Sequence, residues 1–419
     1  GAVSGQGAFD INGRTVTNNG RVDILDPVDF LGPATSSFIN NSSTAYLKYT
    51  KQASFPGALL TATAVGNTVE FSAAGAGPYT IGNTTNYHHV IVGGASEKRL
   101  AVATNIAGNL TISSGATLNV NNNNMTIGGN WVNNLGGTFV KGTRNVTFNG
   151  STNNQTIFSP AGAAGENFYD LTINNTFAGG TVTASGNITI TAGRTFTMTS
   201  GIMDMGTFSL RETAAGGRYA ATGGELRLAG LTTLPELTGA YTLTGGTTTF
   251  NGAGAQTIRS EFYYSVNVNT SGGSGTKTMA GAVTVSGNLT IGAGTLDVSA
   301  SNFGLTVNGN WSNTGTFVPR NGTVTLNGSG TQTFTNAASE TFYGLTGNAT
   351  GPFQLGVGTD VMVTNTLTMS SGDFDLNGRM LTLGNGAVAT LVRISGTMYG
   401  GTFRRFLASS TAISSSAAP

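Results

Sequence analysis

The chain has 419 residues, of which 64 are Gly and 9% are charged, whereas a typical soluble domain has about 25% charged residues. Because Thr, Asn, Ser and Gly take the place of helix-forming residues, this composition excludes a charged, helix-rich enzyme. The formal net charge of +1 excludes nucleic acid as an expected partner, since phosphate binding needs clustered excess Lys and Arg.

The residue inventory also bears on the cellular compartment. The chain contains no Cys, which excludes disulfides and thiolate metal sites and is typical of a secreted bacterial protein. No apolar run reaches the roughly 18 residues of a transmembrane helix, so no transmembrane segment is expected. Residues 1–6 lack the basic and apolar regions of a signal peptide, and the Ser/Ala-rich residues 406–419 are interpreted as a linker. We therefore expect a secreted or cell-surface protein.

Residues 1–65 precede the repeated part of the chain and are predicted to be atypical coils or a cap. Within them, Asp23, Asp26 and Asp29 lie close together in a segment that contains Pro27. Three neighbouring carboxylates would suit Ca²⁺, but the segment lacks the Gly and the carboxylate spacing of a known calcium loop. We interpret it as a solvated turn and predict no metal-binding residue, while the calcium alternative stays open.

His88 and His89 are the two histidines of the chain. Adjacent side chains on a strand point to opposite faces, so this pair is not expected to chelate one metal ion. No nucleophile signature flanks the pair, and a Ser-His-Asp site is therefore not predicted.

An internal repeat dominates residues 66–405. One phrase recurs as Gly-Asn-Leu-Thr-Ile or a variant of it, with its first apolar residue at Leu110, Ile188, Leu289 and Leu367. The first and last of the three intervals are equal, and the middle one is longer. A second phrase shows the same long interval between two shorter ones and ends at Phe71, Phe148, Phe250 and Leu326. The two phrases together predict units near residues 66–143, 144–245, 246–321 and 322–405.

Short strands are predicted throughout each unit. Apolar-polar-apolar triplets such as Leu118-Asn119-Val120 show the period-two pattern that is typical of strands. Asn-Gly pairs, which tolerate a positive φ, separate the strands at residues 12–13, 149–150, 251–252, 308–309, 327–328 and 377–378. Other Asn residues are expected to hydrogen-bond across coils as ladders, or else only to tolerate a bent turn: Asn109, Asn130, Asn187, Asn288 and Asn310.

The unequal length of the units indicates the architecture. The long unit exceeds the short ones by about 23 residues, which is about one coil of a three-strand parallel β-helix. A whole extra coil leaves its neighbours in register, and we place it between Met205 and Leu243, with a projecting loop as the alternative. A unit then corresponds to about three coils. We predict an all-β, right-handed parallel β-helix, rod-shaped, with about 17 coils and about 80 Å long.

Two carboxylates near the end of the repeats share a predicted face. Asp373 and Asp375 lie at positions i and i+2, with Arg379 nearby, so Phe374 and Leu376 would point inward and the acids outward. Such a pair would suit a glycosidase or a bound cation, but outward Asp residues also protect strand edges and keep a protein soluble. We interpret the pair as non-catalytic and predict no catalytic residue, no cofactor-binding residue and no cofactor.

The repeated phrases resemble those of a known group of bacterial proteins. The string "GTVTLNGSGTQT" at residues 322–333, together with the two phrases above, is similar to the repeat modules of very large surface proteins and adhesins that gliding bacteria export by type IX secretion. A looser similarity extends to the β-helical passenger repeats of autotransporters and filamentous adhesins. The resemblance spans about residues 66–385 and implies a secreted, β-helical surface protein.

We therefore expect a structural or adhesive module of a larger bacterial surface protein, a rod-like spacer or binding face and not an enzyme. The expected partners are surface glycans or neighbouring modules of the same long chain, with a filament or larger surface assembly as a further possibility. The first alternative is a carbohydrate-active β-helix enzyme. The second is an ice-binding protein, which needs Thr-x-Thr once per coil on a flat face. The triplets at residues 195–197, 247–249 and 331–333 do not recur at that spacing.

Overall fold

The structure is a computed structural model that describes residues 2–3, 7–53, 59–81, 86–159, 165–230, 233–268, 275–336 and 338–407. The fold is all-β, with parallel strands stacked in a β-solenoid of about 17 turns, so the predicted fold class is confirmed. Residues 408–419, most of the predicted linker, lie outside the described residues. No helix among the described residues is long and apolar enough to cross a lipid bilayer.

The chain divides into two compact units. Unit 1 comprises Gly1–Gly224 and Leu237–Ala240, and unit 2 comprises Glu225–Glu236 and Tyr241–Pro419. In both units the coils supply strands to three stacks of parallel strands, which we call faces A, B and C in the order in which a coil visits them. The predicted segment 1–65 contributes strands to these stacks like the rest of unit 1.

The described residues of unit 1 form 28 complete strands and the first part of a strand that continues into unit 2. Face A comprises β1 (Ala2–Val3), β4 (Arg21–Ile24), β7 (Tyr46–Tyr49), β9 (Thr68–Phe71), β12 (His89–Val92), β15 (Leu110–Ile112), β18 (Trp131–Asn133), β21 (Gln155–Phe158), β24 (Thr181–Ala184) and β27 (Ile202–Asp204). Face B comprises β2 (Ala8–Asp10), β5 (Asp29–Leu31), β10 (Tyr79–Ile81), β13 (Glu97–Leu100), β16 (Thr117–Asn119), β19 (Thr138–Val140), β22 (Glu166–Phe168), β25 (Ile188–Ile190) and β28 (Leu210–Glu212). Face C comprises β3 (Thr15–Asn18), β6 (Ser37–Asn40), β8 (Leu60–Thr61), β11 (Asn86–Tyr87), β14 (Thr104–Ile106), β17 (Met125–Ile127), β20 (Asn145–Phe148), β23 (Asp170–Asn174), β26 (Thr195–Ser200) and the start of β29 (Arg218–Leu228).

Unit 2 follows the same order, and its longest strands turn from one face to the next. Face A comprises the end of β29, the end of β31 (Tyr241–Phe250), β34 (Ser265–Val268), β37 (Leu289–Ile291), β40 (Trp311–Asn313), β43 (Gln332–Asn336), β45 (Phe353–Leu355), β47 (Phe374–Asp375) and β50 (Met398–Tyr399). Face B comprises β30 (Thr233–Leu234), β32 (Gln256–Ile258), β35 (Thr276–Met279), β38 (Thr295–Asp297), β41 (Thr316–Val318), β48 (Met380–Leu383) and β51 (Thr402–Arg405). Face C comprises β33 (Phe262–Tyr263), β36 (Val283–Val285), β39 (Leu305–Val307), β42 (Thr323–Leu326), β44 (Glu340–Asn348), β46 (Val361–Ser371) and β49 (Thr390–Arg393), where β44 and β46 begin on face B.

The core is built by the period-two alternation of the strands. In β15, Leu110 and Ile112 are fully buried while Thr111 points outward. The next coil places Trp131 directly beside Leu110 in parallel register. Apolar side chains therefore stack on the coils before and after them, and each added coil buries more apolar surface.

A buried Gln ties neighbouring coils together at three of the Asn-Gly turns. Gln332 accepts a hydrogen bond from the backbone N–H of Gly328 (2.8 Å) and donates to the carbonyl oxygens of Val307 (3.0 Å) and Gly309 (2.8 Å). Gln155 and Gln256 repeat the arrangement. Each tie satisfies three main-chain groups that burial would otherwise leave without partners.

These ties correct the expected role of Gly in the Asn-Gly turns. A positive φ is confirmed at Asn12 (39°) and Asn377 (47°), but the pairs at residues 149–150, 251–252, 308–309 and 327–328 have no positive φ. At Gly328 a Cβ atom would lie 2.6 Å from the Gln332 side chain. At this turn Gly therefore admits the buried Gln, and the positive φ that an Asn-Gly pair tolerates is not adopted.

The predicted Asn ladders are confirmed. The side-chain oxygen of Asn109 accepts a hydrogen bond from the backbone N–H of Asn130 (2.8 Å) in the next coil. Asn130 repeats this contact with Thr156, and the same bond forms at Asn187, Asn288 and Asn310. None of these five residues has a positive φ. They therefore hydrogen-bond across coils and do not merely tolerate a bent turn.

The copies of the repeated phrase lie on different faces. Leu110 lies on face A, and three coils later its stack reaches Ala184 through Trp131 and Ile157. The next copy of the phrase begins at Ile188, on β25 of face B. The interval between these two copies is therefore three coils plus the step from face A to face B. The expected value of about three coils per unit is close to this interval but not equal to it.

The predicted extra coil forms strands in its described residues. β28 pairs with β25, and the start of β29 pairs with β26, both in parallel. Further along β29, the carbonyl oxygen of Leu228 accepts a hydrogen bond from the backbone N–H of Asn251 (2.9 Å). The described part of this segment thus belongs to the coils, and the alternative of a projecting loop is wrong for it.

Candidate functional site

The acidic pair near the end of the repeats has the predicted orientation. Phe374 and Leu376 are each 1% exposed, while Asp373 and Asp375 lie outside the core. Asp373 accepts a hydrogen bond from the backbone N–H of Thr397 (2.7 Å). Asp375 accepts bonds from Gln354 Nε2 (2.8 Å) and the backbone N–H of Asn377 (2.9 Å). Among the described residues, no hydrogen bond or ion pair joins Arg379 to either carboxylate.

The three N-terminal carboxylates each contact different partners. Asp23 pairs with Arg21 (2.9 Å) and Asp29 with Lys51 (3.0 Å). Asp26 accepts hydrogen bonds from the backbone N–H (3.2 Å) and the side-chain amide (3.4 Å) of Gln52. Across the described ranges, no three His, Cys, Asp or Glu side chains converge as metal ligands.

The two histidines contact one another. Their ring centroids are 4.2 Å apart and the rings are nearly perpendicular. Because β12 begins at His89, the alternation of a strand does not extend back to His88, and the expectation of opposite faces is wrong. His89 Nδ1 accepts a hydrogen bond from the backbone N–H of Asn109 (2.8 Å). Burial lowers the pKa of both histidines and so favours the neutral rings.

Each unit buries a carboxyl group beside a tryptophan. The sequence analysis did not assign either carboxyl group to a site. Glu166 is 5% exposed and accepts hydrogen bonds from Trp131 Nε1 (3.1 Å) and Asn133 Nδ2 (3.0 Å). Glu340, beside β40, accepts bonds from the side-chain amides of Asn313 (2.7 Å) and Asn336 (3.0 Å). Burial raises the pKa of both carboxyl groups. The signal in the sequence is the phrase Gly-Asn-Trp, which occurs at residues 129–131 and 309–311. The enclosure of both centres makes them structural.

Glu166→Gln is expected to flatten the pH dependence of unit 1 stability. The pKa of Glu166 lies above its ordinary value of 4.5, so its contribution to stability is complete below pH 4.5 and is lost as the pH rises through the folded pKa. Gln keeps an oxygen that accepts from Trp131 and Asn133 but cannot ionise. Urea unfolding followed by circular dichroism should show that the free energy of unfolding of the variant increases relative to that of the wild type from pH 4 to pH 7. An equal slope for both proteins would contradict this expectation.

Each unit also buries a lysine among backbone carbonyls. Lys98 is fully buried, and its ammonium donates to the carbonyl oxygens of Ala73, Gly93, Gly94 and Ser96. Lys277, equally buried, donates to the carbonyls of Gly252 (2.5 Å) and Gly254 (3.2 Å). Burial lowers the pKa of each lysine to about 8. These charges therefore hold turns together and are unavailable at the surface.

Threonine recurs in five consecutive coils on face C of unit 2, between Phe262 in the coil before and Val392 in the coil after. Five residues follow one another in parallel register, each half-buried and pointing outward: Thr284, Thr306, Thr325, Thr346 and Thr368. We call these five residues the threonine face. The three Thr-x-Thr triplets singled out in the sequence do not belong to it. The sequence analysis missed the threonine face because coils of unequal length hide the register.

Small uncharged residues flank the threonine face. The positions two residues before each Thr carry Ala, Gly or Thr, and those two residues after carry Ser or Asn, over residues 282–286, 304–308, 323–327, 344–348 and 366–370. No charged or aromatic residue occurs in these five stretches. At Gly344 a Cβ atom would meet Thr323 Oγ1 at 2.6 Å, so Gly leaves room for the neighbouring hydroxyl. The surface around the threonine face therefore carries no charge, and its side chains are small.

Comparison of the chain with protein-family models, curated proteins and solved structures finds no match. The resemblance to bacterial surface repeats therefore depends on the repeated phrases and on the solenoid fold.

Proposed function

We propose that the chain is an extracellular structural or adhesive module of a larger bacterial surface protein, acting as a spacer or a binding face. The observation that carries this proposal is the tie between coils, which Gln155, Gln256 and Gln332 make with the main chain of the preceding coil. Separating two coils at a tie breaks several buried hydrogen bonds at once. Resistance to separation is what a spacer or a rigid binding face requires.

The proposed partners are surface glycans or neighbouring modules of the same long chain. Outward positions on the strands carry Thr, Asn and Ser, as at Thr290 and Ser312 of neighbouring coils. Hydroxyl and amide groups both donate and accept hydrogen bonds, and therefore suit the neutral hydroxyl groups of sugars.

A glycan array and a cell-surface adhesion screen of the whole chain test the proposal, with turnover assays on acidic polysaccharides run in parallel. Retention on glycans or cells without turnover would support an adhesive module. Turnover of a polysaccharide would contradict it and would favour the carbohydrate-active enzyme.

The double variant Asp373→Asn with Asp375→Asn is expected to fold and adhere like the wild type. Each Asn keeps an oxygen that can accept the hydrogen bonds from Thr397 and Asn377, so the free energy of unfolding should change by no more than about 0.5 kcal/mol. Thermal unfolding and the adhesion screen measure this. If the wild type cleaved a polysaccharide and the double variant did not, the pair would be catalytic and the proposed function would be wrong.

A further inference from the structure

The hydroxyl groups of the threonine face are free of protein partners. Within the described part of the chain, none of the five hydroxyls takes part in a hydrogen bond to a protein atom. A similar file on face C of unit 1 differs in this respect. There, Thr126 donates to Asn105 (2.5 Å), and Thr147 and Thr172 both contact Asn145 (2.9 and 3.0 Å). Of these two files, the one in unit 2 therefore offers a row of uncommitted hydroxyls.

The spacing and stiffness of this row are set by the backbone. Paired strands lie about 4.8 Å apart, so neighbouring Thr side chains repeat at that distance along the file. Thr is branched at Cβ and has few rotamers, and each side chain is half-buried between its neighbours. The hydroxyl and methyl groups are therefore held in place before any ligand arrives, and little conformational entropy is lost on binding.

The chemistry of the threonine face selects among ligands. Its lack of charged residues gives no hold on an ionic ligand. The five stretches contain no aromatic residue on which a ligand ring could pack, and the exposed ring in the file, Phe262, lies beyond its end, beside Thr284 in the preceding coil. An ordered surface of water molecules is neutral and presents donors and acceptors in a regular array, and each Thr hydroxyl offers one donor and two acceptor positions. Frozen water therefore matches the neutral, uncommitted hydroxyls of the threonine face, and the polysaccharide arm of the experiment below separates it from neutral sugars.

We infer that the threonine face of unit 2 binds the surface of ice. One Thr per coil, held in register over five coils, takes the place of the Thr-x-Thr triplet per coil that was expected from the sequence, and only the coils with Thr323 and Thr366 carry the second Thr. Each hydroxyl forms at most a weak hydrogen bond to water, but the five act together because the solenoid holds them in one register. The methyl groups between them add contacts that order the adjoining water layer. This activity is independent of the proposed adhesive function, which rests on the ties between coils and not on face C.

Slow freezing of a solution of the whole chain tests the inference. The fraction of protein incorporated into the ice is measured, together with the difference between the melting and freezing temperatures of a single crystal. The wild type is expected to enter the ice and to open a gap between the two temperatures. Thr325→Tyr places a bulky ring in the middle of the threonine face and should abolish both effects. The variant should still fold, because Tyr is well tolerated on a strand.

Thr257→Tyr is the matched control, since Thr257 is a half-buried, outward-pointing Thr on face B of the same unit. This variant should behave like the wild type, and circular dichroism should show that both variants are folded. Failure of the folded wild type to enter ice would overturn the inference, as would equal losses in the two variants. Pull-down with crystalline cellulose or chitin is run in parallel. The inference would also be overturned if the wild type bound the polysaccharide but did not enter ice, and if Thr325→Tyr abolished the binding to the polysaccharide.

Discussion

Replacing Gln332 with Leu is expected to destabilise unit 2 by about 3 kcal/mol or more. The substitution leaves the backbone N–H of Gly328 and the carbonyl oxygens of Val307 and Gly309 without their partner. Gln332 is 2% exposed, so water cannot replace the lost bonds, and each buried orphan group costs about 1–3 kcal/mol. Leu has a similar size and fills the space, which isolates the effect of the hydrogen bonds.

Gln354→Leu is the control for this experiment. Gln354 is half-buried and its side chain donates to Asp375 on the outside of the solenoid, so its replacement should cost about 0.5 kcal/mol or less. Urea unfolding followed by circular dichroism and by tryptophan fluorescence measures both variants. Equal midpoints for the two variants would show that the buried tie contributes no more than a surface contact.

Trp131→Ala is expected to destabilise unit 1 by about 3–5 kcal/mol, the range found when a buried aromatic side chain is truncated. The indole is fully buried, and its ring centroid lies 4.7 Å from that of Phe139 and 5.5 Å from that of Phe168. Truncation opens a cavity between these rings and removes one hydrogen-bond donor from Glu166. Both losses act in the same direction.

Two variants bracket this measurement. Trp131→Phe keeps most of the ring contacts and loses the indole N–H, so its loss of stability should be the smaller one. Leu135→Ala changes a side chain that is 74% exposed in the same coil and should leave the unfolding midpoint nearly unchanged. Circular dichroism in urea measures all three proteins. If Trp131→Ala cost no more than Leu135→Ala, the aromatic cluster would not be a source of stability.

The fold was predictable from the sequence because each strand obeys a short-range rule. The alternation in Leu110-Thr111-Ile112 and the composition of the turns depend on neighbouring residues alone, and they led to the correct class. The Asn ladders were also visible, since Asn109 and Asn130 recur before equivalent strands. The sequence therefore carried the architecture and the bonds between adjacent coils.

The threonine face and the buried carboxyl centres were not predictable in the same way. The coil that leads from Thr306 to Thr325 is shorter than the coil that leads from Thr284 to Thr306, yet all three residues are in register. Coil length depends on the turns, and no short-range rule specifies it. Glu166 reaches Trp131 across the interior from another face. Such contacts depend on the complete coil and are visible in the structure alone.

The placement of the lysines determines how the protein can be attached to a support. The sequence contains five lysines, and those in unit 1 include Lys48, Lys51 and Lys141 at partly exposed positions. Lys277 is the sole lysine in the sequence of unit 2, and its amine is enclosed by carbonyl groups. Amine-reactive beads should therefore couple to unit 1 and leave unit 2 chemically unmodified. Protein immobilised by this chemistry would present the threonine face to the solution without any engineered tag.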